Sequence, residues 1–133
     1  MSEDLIDKGS FGEQAFHLLM DQGNQSYIFI DQMVSSFSDN FRLRENEQRV
    51  KRPDFLVNVK SFGSLALDVK YQRLYEDPKS PYFTMNGTEY LKARAFSQMF
   101  GLHWCWVFKA NNIDSKDWYW VNIKNLSATN FKN

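Results

Sequence analysis

Residues 51–70 read KRPDFLVNVKSFGSLALDVK, and this stretch decides the fold. β-Branched and aromatic residues flank a glycine-containing break, a pattern typical of a β-hairpin. It predicts one strand from Phe55 to Val59, a turn from Lys60 to Gly63 and a second strand from Ser64 to Tyr71.

Two acids and a lysine are predicted to meet at the open end of this hairpin. Alternation along the second strand places Asp68 and Lys70 on one face and the apolar side chains on the other. Asp54 follows Pro53 at the start of the first strand, where its carboxylate can approach that of Asp68. Crowded carboxylate oxygens suit Mg²⁺, with Mn²⁺ as a substitute, and a lysine beside them suits phosphodiester hydrolysis. The alternative is an ordinary hairpin with an Asp–Lys ion pair on its exposed face.

Pro53-Asp54 and Asp68-Val69-Lys70 resemble the defining motif of the PD-(D/E)xK nuclease superfamily, most of all its small archaeal-type Holliday-junction resolvases. The resemblance runs from about Lys8 to Ile123. It implies an α/β fold with a restriction-endonuclease-like core, a central mixed β-sheet flanked by helices. The catalytic residues that it implies are Glu13, Asp54, Asp68 and Lys70, with Glu13, Asp54, Asp68 and the Val69 carbonyl as the Mg²⁺ ligands.

Glu13 lies in a helix predicted from about Phe11 to Gln22. The resemblance places an acidic ligand on this helix, after a Lys-Gly pair such as the one that precedes Glu13 here. The residues also offer a second interpretation, a capping box in which the Glu13 side chain returns to the amide of the N-cap residue Ser10. Both interpretations stay open.

Basic residues precede the hairpin, and basic and aromatic residues follow it. The segment 35–52 is either a region of phosphate contact or a solvated loop or short helix laced with ion pairs. In the segment 71–83, Tyr75 or Tyr82 is a candidate to stack on a splayed base, although such aromatics can equally cover the core or a dimer surface. The predicted nucleic-acid contacts are Arg42, Arg44, Arg49, Lys51, Arg52, Gln72 and Arg73.

Composition indicates one folded domain over residues 1–133, with a polar leader at 1–8 and a frayed tail at 127–133. The 133 residues are 43% hydrophobic and 17% aromatic, which argues against disorder. Sixteen basic and sixteen acidic residues cancel, so a nucleic-acid-binding chain of this kind must concentrate its cations on one face. The single Cys105 excludes an internal disulfide framework, and no apolar run reaches the roughly 20 residues of a membrane span. We therefore expect a cytoplasmic protein without a membrane partner.

Four further elements complete the prediction. A strand is expected at Tyr27 to Val34, a helix capped by Thr88 at Glu89 to Phe100, and aromatic strands at His103 to Lys109 and Trp118 to Ile123.

The function that this combination favours is a Mg²⁺-dependent endonuclease acting on DNA rather than RNA, with branched DNA as the structure-specific case. The resemblance also allows a homodimer. Three alternatives remain open: an RNA-cleaving toxin or defence nuclease, a restriction or mobile-element endonuclease domain, and a nuclease fold that has lost catalysis and serves as a binding module.

Overall fold

The computed structural model describes residues 3–23, 25–30, 37–60, 62–77 and 80–126, with side chains described from Phe11 onward. Its helices are α1 (Glu3–Gln22), α2 (Asp39–Asn46) and α3 (Gly87–Phe100), and a short 3₁₀ turn follows at Ile123–Asn125. Its strands are β1 (Ser26–Phe29), β2 (Phe55–Val59), β3 (Gly63–Gln72), β4 (His103–Ala110) and β5 (Tyr119–Asn122).

The five strands form one mixed sheet in the order β1-β2-β3-β4-β5. Neighbouring strands are antiparallel except for β3 and β4, which run parallel and are connected through α3. A parallel pair needs a crossover, and the helix supplies it. The predicted α/β fold with a central mixed sheet is confirmed.

Successive side chains of β3 and β4 point to opposite faces of the sheet. Helices cover both faces, so both sets of side chains are buried. One face packs against α1, and the other packs against α2 and α3. The α1 side contains Phe16, Met20, Phe55, Val57, Leu65, Leu67, Cys105 and Val107. The other side contains Phe41, Val50, Ala66, Tyr90, Ala93, Phe96, Trp104, Trp106, Phe108 and Ile123.

The predicted hairpin is confirmed almost residue for residue. β2 occupies the predicted range, and β3 extends one residue beyond the prediction at each end. Gly63 has φ of +112°, a backbone conformation that favours glycine, so the turn ends where the sequence places its glycine.

The helix starts were predicted less well. α1 begins at Glu3, so Ser10 lies inside the helix and is not its N-cap. α3 begins at Gly87 with Asn86 as its N-cap, two residues before the predicted cap Thr88, and ends as predicted at Gly101.

β1 also differs from its prediction. The predicted strand ran to Val34, but β1 ends at Phe29, and residues 31–36 lie outside the described part of the chain. Its apolar density predicted burial on both faces, whereas Ile28 is 62% exposed. The difference arises because β1 lies at an edge of the sheet. The predicted tail, 127–133, also lies outside the described residues.

Candidate active site

The hairpin register places Asp54 opposite Asp68. Phe55 pairs with Leu67 in the antiparallel ladder, and the Asp54 amide donates to the Leu67 carbonyl at 2.8 Å. The Val69 amide in turn donates to Asp54 Oδ2 at 2.8 Å, which fixes the carboxylate against β3. The next pair outward is therefore Asp54 and Asp68, the two acids predicted to converge.

Lys70 completes the predicted group. Its Nζ atom lies 3.0 Å from Asp68 Oδ2, and the two side chains share one face of β3 because they are two residues apart. Asp68 is only 3% exposed, so this ion pair lies in a partly dehydrated environment. A solvent-exposed ion pair on an ordinary hairpin, the alternative from the sequence, does not describe this arrangement.

Glu89 is a member of the site that sequence reasoning missed. It lies in the first turn of α3, where its Oε1 contacts Lys70 Nζ in a close ion pair and lies 3.1 Å from Lys51 Nζ. Lys51 Nζ is also 3.8 Å from Asp68 Oδ1. Lys51, predicted as a nucleic-acid contact, thus lies inside the carboxylate cluster. The sequence signal for Glu89 was an acid at a helix start, which is usually explained by the helix dipole.

Glu13 reaches the same cluster from the opposite face of the sheet. The carboxyl groups of Glu13, Asp54 and Asp68 lie within electrostatic reach of one another, because Glu13 raises the pKa of Asp54, and Asp68 raises the pKa of Glu13. Helix α1 comes close to β3 at Gly12, where an added Cβ would lie 3.0 Å from the Cβ of Tyr71. The glycine next to Glu13 therefore permits the approach. Because Ser10 is inside α1, the capping-box interpretation of Glu13 is wrong.

The three carboxyl groups are harder to ionise than isolated ones. Burial raises the pKa of Asp68 well above its ordinary value of 3.8, and the neighbouring Asp54 carboxylate raises it further. Burial likewise raises the pKa of Asp54 and of Glu13, and the hydrogen bonds that these groups accept offset only part of the effect. Carboxylates this close repel one another unless a proton or another cation offsets their charge, so the cluster favours protons or another cation.

Lys70 and Glu89, in contrast, are stabilised in their charged forms. Burial acts to lower the pKa of Lys70, but the Asp68 and Glu89 carboxylates outweigh it and the net shift is upward. Burial acts to raise the pKa of Glu89, but Lys70 and Lys51 outweigh it and the net shift is downward. Both partners are therefore charged at neutral pH. Four carboxylates and two ammonium groups leave the fully ionised cluster with a net charge of −2.

These groups fit a divalent cation in their chemistry. Hard carboxylate oxygens are the ligands that Mg²⁺ and Mn²⁺ prefer, and the residual charge matches one such ion. Within the described residues, however, no three His, Cys, Asp or Glu side chains already converge as a metal site.

Among the predicted nucleic-acid contacts, Arg52 is the one whose side chain is buried. Its side chain is buried, with Nε and Nη2 donating to Glu45 at 3.1 and 2.9 Å. Its guanidinium carbon lies 4.5 Å from the ring centre of Phe37. A phosphate cannot reach a guanidinium enclosed in this way, so Arg52 stabilises the segment before Asp54.

Of the other predicted contacts, Arg44, Arg49 and Arg73 are exposed, whereas Arg42 and Gln72 are half-buried. Arg44 and Arg49 line an open groove between α2 and α3, and Arg42 pairs with Asp39 at 3.2 Å. The segment is the short helix α2 with ion pairs, one of the two forms expected. On the other side of the site, Gln72 Nε2 donates to the Thr84 carbonyl at 3.2 Å and Arg73 is exposed.

Comparison with solved structures gives the fold an independent parallel. The chain is similar to Hjc, a Holliday junction resolvase from the archaeal hyperthermophile Archaeoglobus fulgidus, with a TM-score of 0.56 and 14% sequence identity. The similarity covers 87% of this chain and 78% of the resolvase. This chain has a restriction-endonuclease-like α/β fold. No family model matches the sequence, and a search of curated proteins finds no match.

In the described residues, every helix is too short or too polar to cross a bilayer.

Proposed function

We propose that this chain is a metal-dependent nuclease of the PD-(D/E)xK superfamily that hydrolyses DNA phosphodiester bonds, with branched DNA as its preferred substrate. The observation that carries the proposal is the meeting of Asp54, Asp68 and Lys70 at the end of one hairpin, with Glu13 within electrostatic reach of both carboxylates. The fold similarity to a Holliday junction resolvase supports the choice of reaction.

The proposed metal ligands are Glu13, Asp54, Asp68 and the Val69 carbonyl. When bound there, Mg²⁺ or Mn²⁺ supplies Lewis-acid polarisation of the phosphoryl oxygen and lowers the pKa of a coordinated water. This set fits because the carboxyl pKa values are raised by burial and crowding, conditions under which a divalent cation can take the place of protons.

Lys70 supplies the positive charge next to the reacting group. Its ammonium group orients the attacking water and offsets negative charge that develops on the phosphate. The two carboxylates of Asp68 and Glu89 keep Lys70 protonated and hold it at the cluster. Lys51, which shares Glu89 with Lys70, is a second ammonium group that a phosphate can recruit.

We place the DNA backbone along the exposed cations near the site. Arg44 and Arg49 are accessible on the α2 side, and Arg73 is accessible on the β3 side. These positions allow the neutral chain to bind DNA, because cations on one surface attract phosphates even when acids elsewhere balance the total.

The experiment that tests the proposal is cleavage of a labelled nucleic-acid panel in Mg²⁺ or Mn²⁺. The panel contains linear duplex, single-stranded, flapped and four-way-junction DNA, and an RNA matched to the single strand. Lys70→Met and Asp68→Asn remove the proposed chemistry, and Lys60→Ala removes an exposed lysine from the turn of the same hairpin as a matched control.

We expect metal-dependent cleavage of the junction by the unmodified protein and by Lys60→Ala, and loss of cleavage in the other two variants. Cleavage of the RNA alone would show that the substrate is RNA and not DNA. Absence of both cleavage and Mn²⁺ binding by calorimetry would refute the nuclease and favour a binding module. Cleavage that survives Lys70→Met would refute the assignment of the site.

We also propose that the protein acts as a homodimer, since a four-way junction presents two cleavage positions to a two-fold assembly. The exposed apolar residues Ile28 and Phe29 on edge strand β1 offer a contact surface. Light scattering after size-exclusion chromatography measures the mass directly, and a mass of one chain at micromolar concentration would contradict the dimer.

A further inference from the structure

Two tyrosines stand on the surface beside the candidate active site. Tyr75 and Tyr82 face each other across a short antiparallel bridge, in which each amide donates to the other residue's carbonyl, at 2.8 and 2.9 Å. Their rings are nearly parallel, with an interplanar angle of 17° and centroids 5.4 Å apart. The guanidinium carbon of Arg73 lies 5.5 Å from the ring centre of Tyr75. We call these three side chains the tyrosine platform.

Residues next to the two tyrosines, Leu74 and Phe83, are held by contacts that do not involve the tyrosine rings. Leu74 is buried, and its amide and carbonyl both bond to the Asn112 side chain, at 2.8 and 3.0 Å. After Tyr82, Phe83 stacks on Phe108 with ring centroids 4.7 Å apart and so attaches the returning chain to the core.

Part of both tyrosine rings of the platform is open to solvent. Tyr75 is 39% exposed and Tyr82 is 48% exposed. A cross-strand aromatic pair can be purely structural, but this pair stands on a backbone already fixed by other contacts. Such a pre-organised surface binds a flat partner at little additional entropic cost.

The platform lies within a few nucleotides of the proposed chemistry. Tyr75 is five positions after Lys70, so their Cα atoms are at most about 18 Å apart. That distance corresponds to about five nucleotides of a stacked strand. An open groove at Lys70 is lined also by Gln72, Thr84, Met85, Asn86 and Glu89, and Gln72 and Thr84 are each within two positions of a platform residue.

We infer that the tyrosine platform binds an unpaired DNA base, within about five nucleotides of the phosphate at the site, and thereby contributes preference for branched over fully paired DNA. Every base has a flat π-face that can stack on tyrosine, and the Arg73 cation suits the phosphate of the same nucleotide. This inference rests on the proposed function, since it takes nucleic acid as the ligand of the neighbouring groove.

The test is equilibrium binding of oligonucleotides that carry 2-aminopurine at successive unpaired positions next to a junction or gap. It is run in EDTA, so that no cleavage occurs. The variants are Tyr82→Leu, which removes the ring, and Tyr82→Phe, which keeps it. Phe62→Leu is the matched control, because Phe62 is 54% exposed and lies in the turn before β3, whereas the platform lies beyond the other end of β3 at Gln72.

We expect stacking on the platform to quench the probe at one or two adjacent positions in the unmodified protein, in Tyr82→Phe and in Phe62→Leu. Tyr82→Leu should lose the quenching and bind the unpaired substrate roughly 5- to 150-fold more weakly. Its affinity for fully paired duplex should not change. If Tyr82→Leu does not fold, Tyr75→Leu is measured in the same way and should weaken binding to the unpaired substrate selectively.

No position-dependent quenching in the unmodified protein would overturn the inference. So would equal losses in Tyr82→Leu and Phe62→Leu, or equal weakening on paired and unpaired DNA. The readout requires neither metal nor cleavage. The platform can therefore fail while the nuclease assignment holds, and it is supported by selective quenching even if no substrate is cut. Quenching with the matched RNA but not with DNA would overturn the DNA assignment of the platform.

Discussion

Replacing Arg52 by alanine should destabilise the fold rather than specifically weaken DNA binding. The side chain is buried, donates twice to Glu45 and lies over the ring of Phe37. Breaking a buried ion pair typically costs about 3–5 kcal/mol in unfolding free energy. The Glu45 side chain is 28% exposed, so water can solvate it once Arg52 is gone. We therefore expect the lower end, about 3 kcal/mol, for Arg52→Ala.

Removing the other partner of this ion pair should lower the free energy of unfolding by more. Glu45→Ala leaves a guanidinium that is 3% exposed without its carboxylate partner, so we expect about 4–5 kcal/mol. For a domain of this size, 3 kcal/mol lowers the melting temperature by roughly 10–15 °C. Replacing both residues by methionine should recover most of the loss, because a well-packed apolar pair avoids the cost of burying charge.

The assay is thermal and urea unfolding followed by circular dichroism, together with DNA binding measured below each variant's melting temperature. A melting temperature within about 3 °C of the unmodified protein for Arg52→Ala, combined with a shallower salt dependence of DNA binding, would refute the structural role. It would restore Arg52 as a phosphate contact.

Three further predictions concern the site and its surroundings. Arg49→Ala removes a side chain that is 67% exposed, so it should change stability by less than about 0.5 kcal/mol while reducing the steepness of log affinity against log salt by about 0.9; an unchanged slope would exclude a phosphate contact. Because the pKa of Asp68 is raised in the folded protein, its contribution to stability is present at low pH and is lost as pH rises through the folded-state value. The metal-free protein should therefore melt at a higher temperature at pH 5 than at pH 8, and Asp68→Asn should reduce that difference; an identical profile in the variant would show that Asp68 is not responsible. Glu89→Gln should reduce Mn²⁺ affinity or cleavage about 10- to 100-fold with the fold retained, as loss of a residue that positions site groups does. Glu76→Gln, a change at an exposed acid, is its control, and equal effects of the two would contradict a specific role for Glu89.

The candidate site divides into a part that could be predicted from sequence and a part that could not. Asp54, Asp68 and Lys70 lie on one hairpin, whose short turn and alternating pattern set the register, so their proximity was predictable. Glu89 is nineteen positions beyond Lys70 in the sequence. Its role in the cluster depends on how α3 packs, which residue types alone do not show.

The basic segment shows the same limit. Five cations in eleven residues predicted a phosphate-binding surface, because a cation in a charged stretch is usually exposed. Arg52 is buried because α2 and the phenylalanine beside it provide a carboxylate and a ring at the same place. Lys51, its neighbour, points instead into the carboxylate cluster.

The sequence by itself determined the hairpin, the α/β character of the domain and the meeting of Asp54, Asp68 and Lys70 at the hairpin's open end. These follow from alternation and turn chemistry, which act over a few residues. Only the tertiary structure decided that Glu89 joins the cluster, that Glu13 is not a capping-box residue, that Arg52 is buried and that β1 is an exposed edge. These outcomes depend on which surfaces of distant segments meet, and that choice is made by the packing of the whole chain rather than by any local pattern.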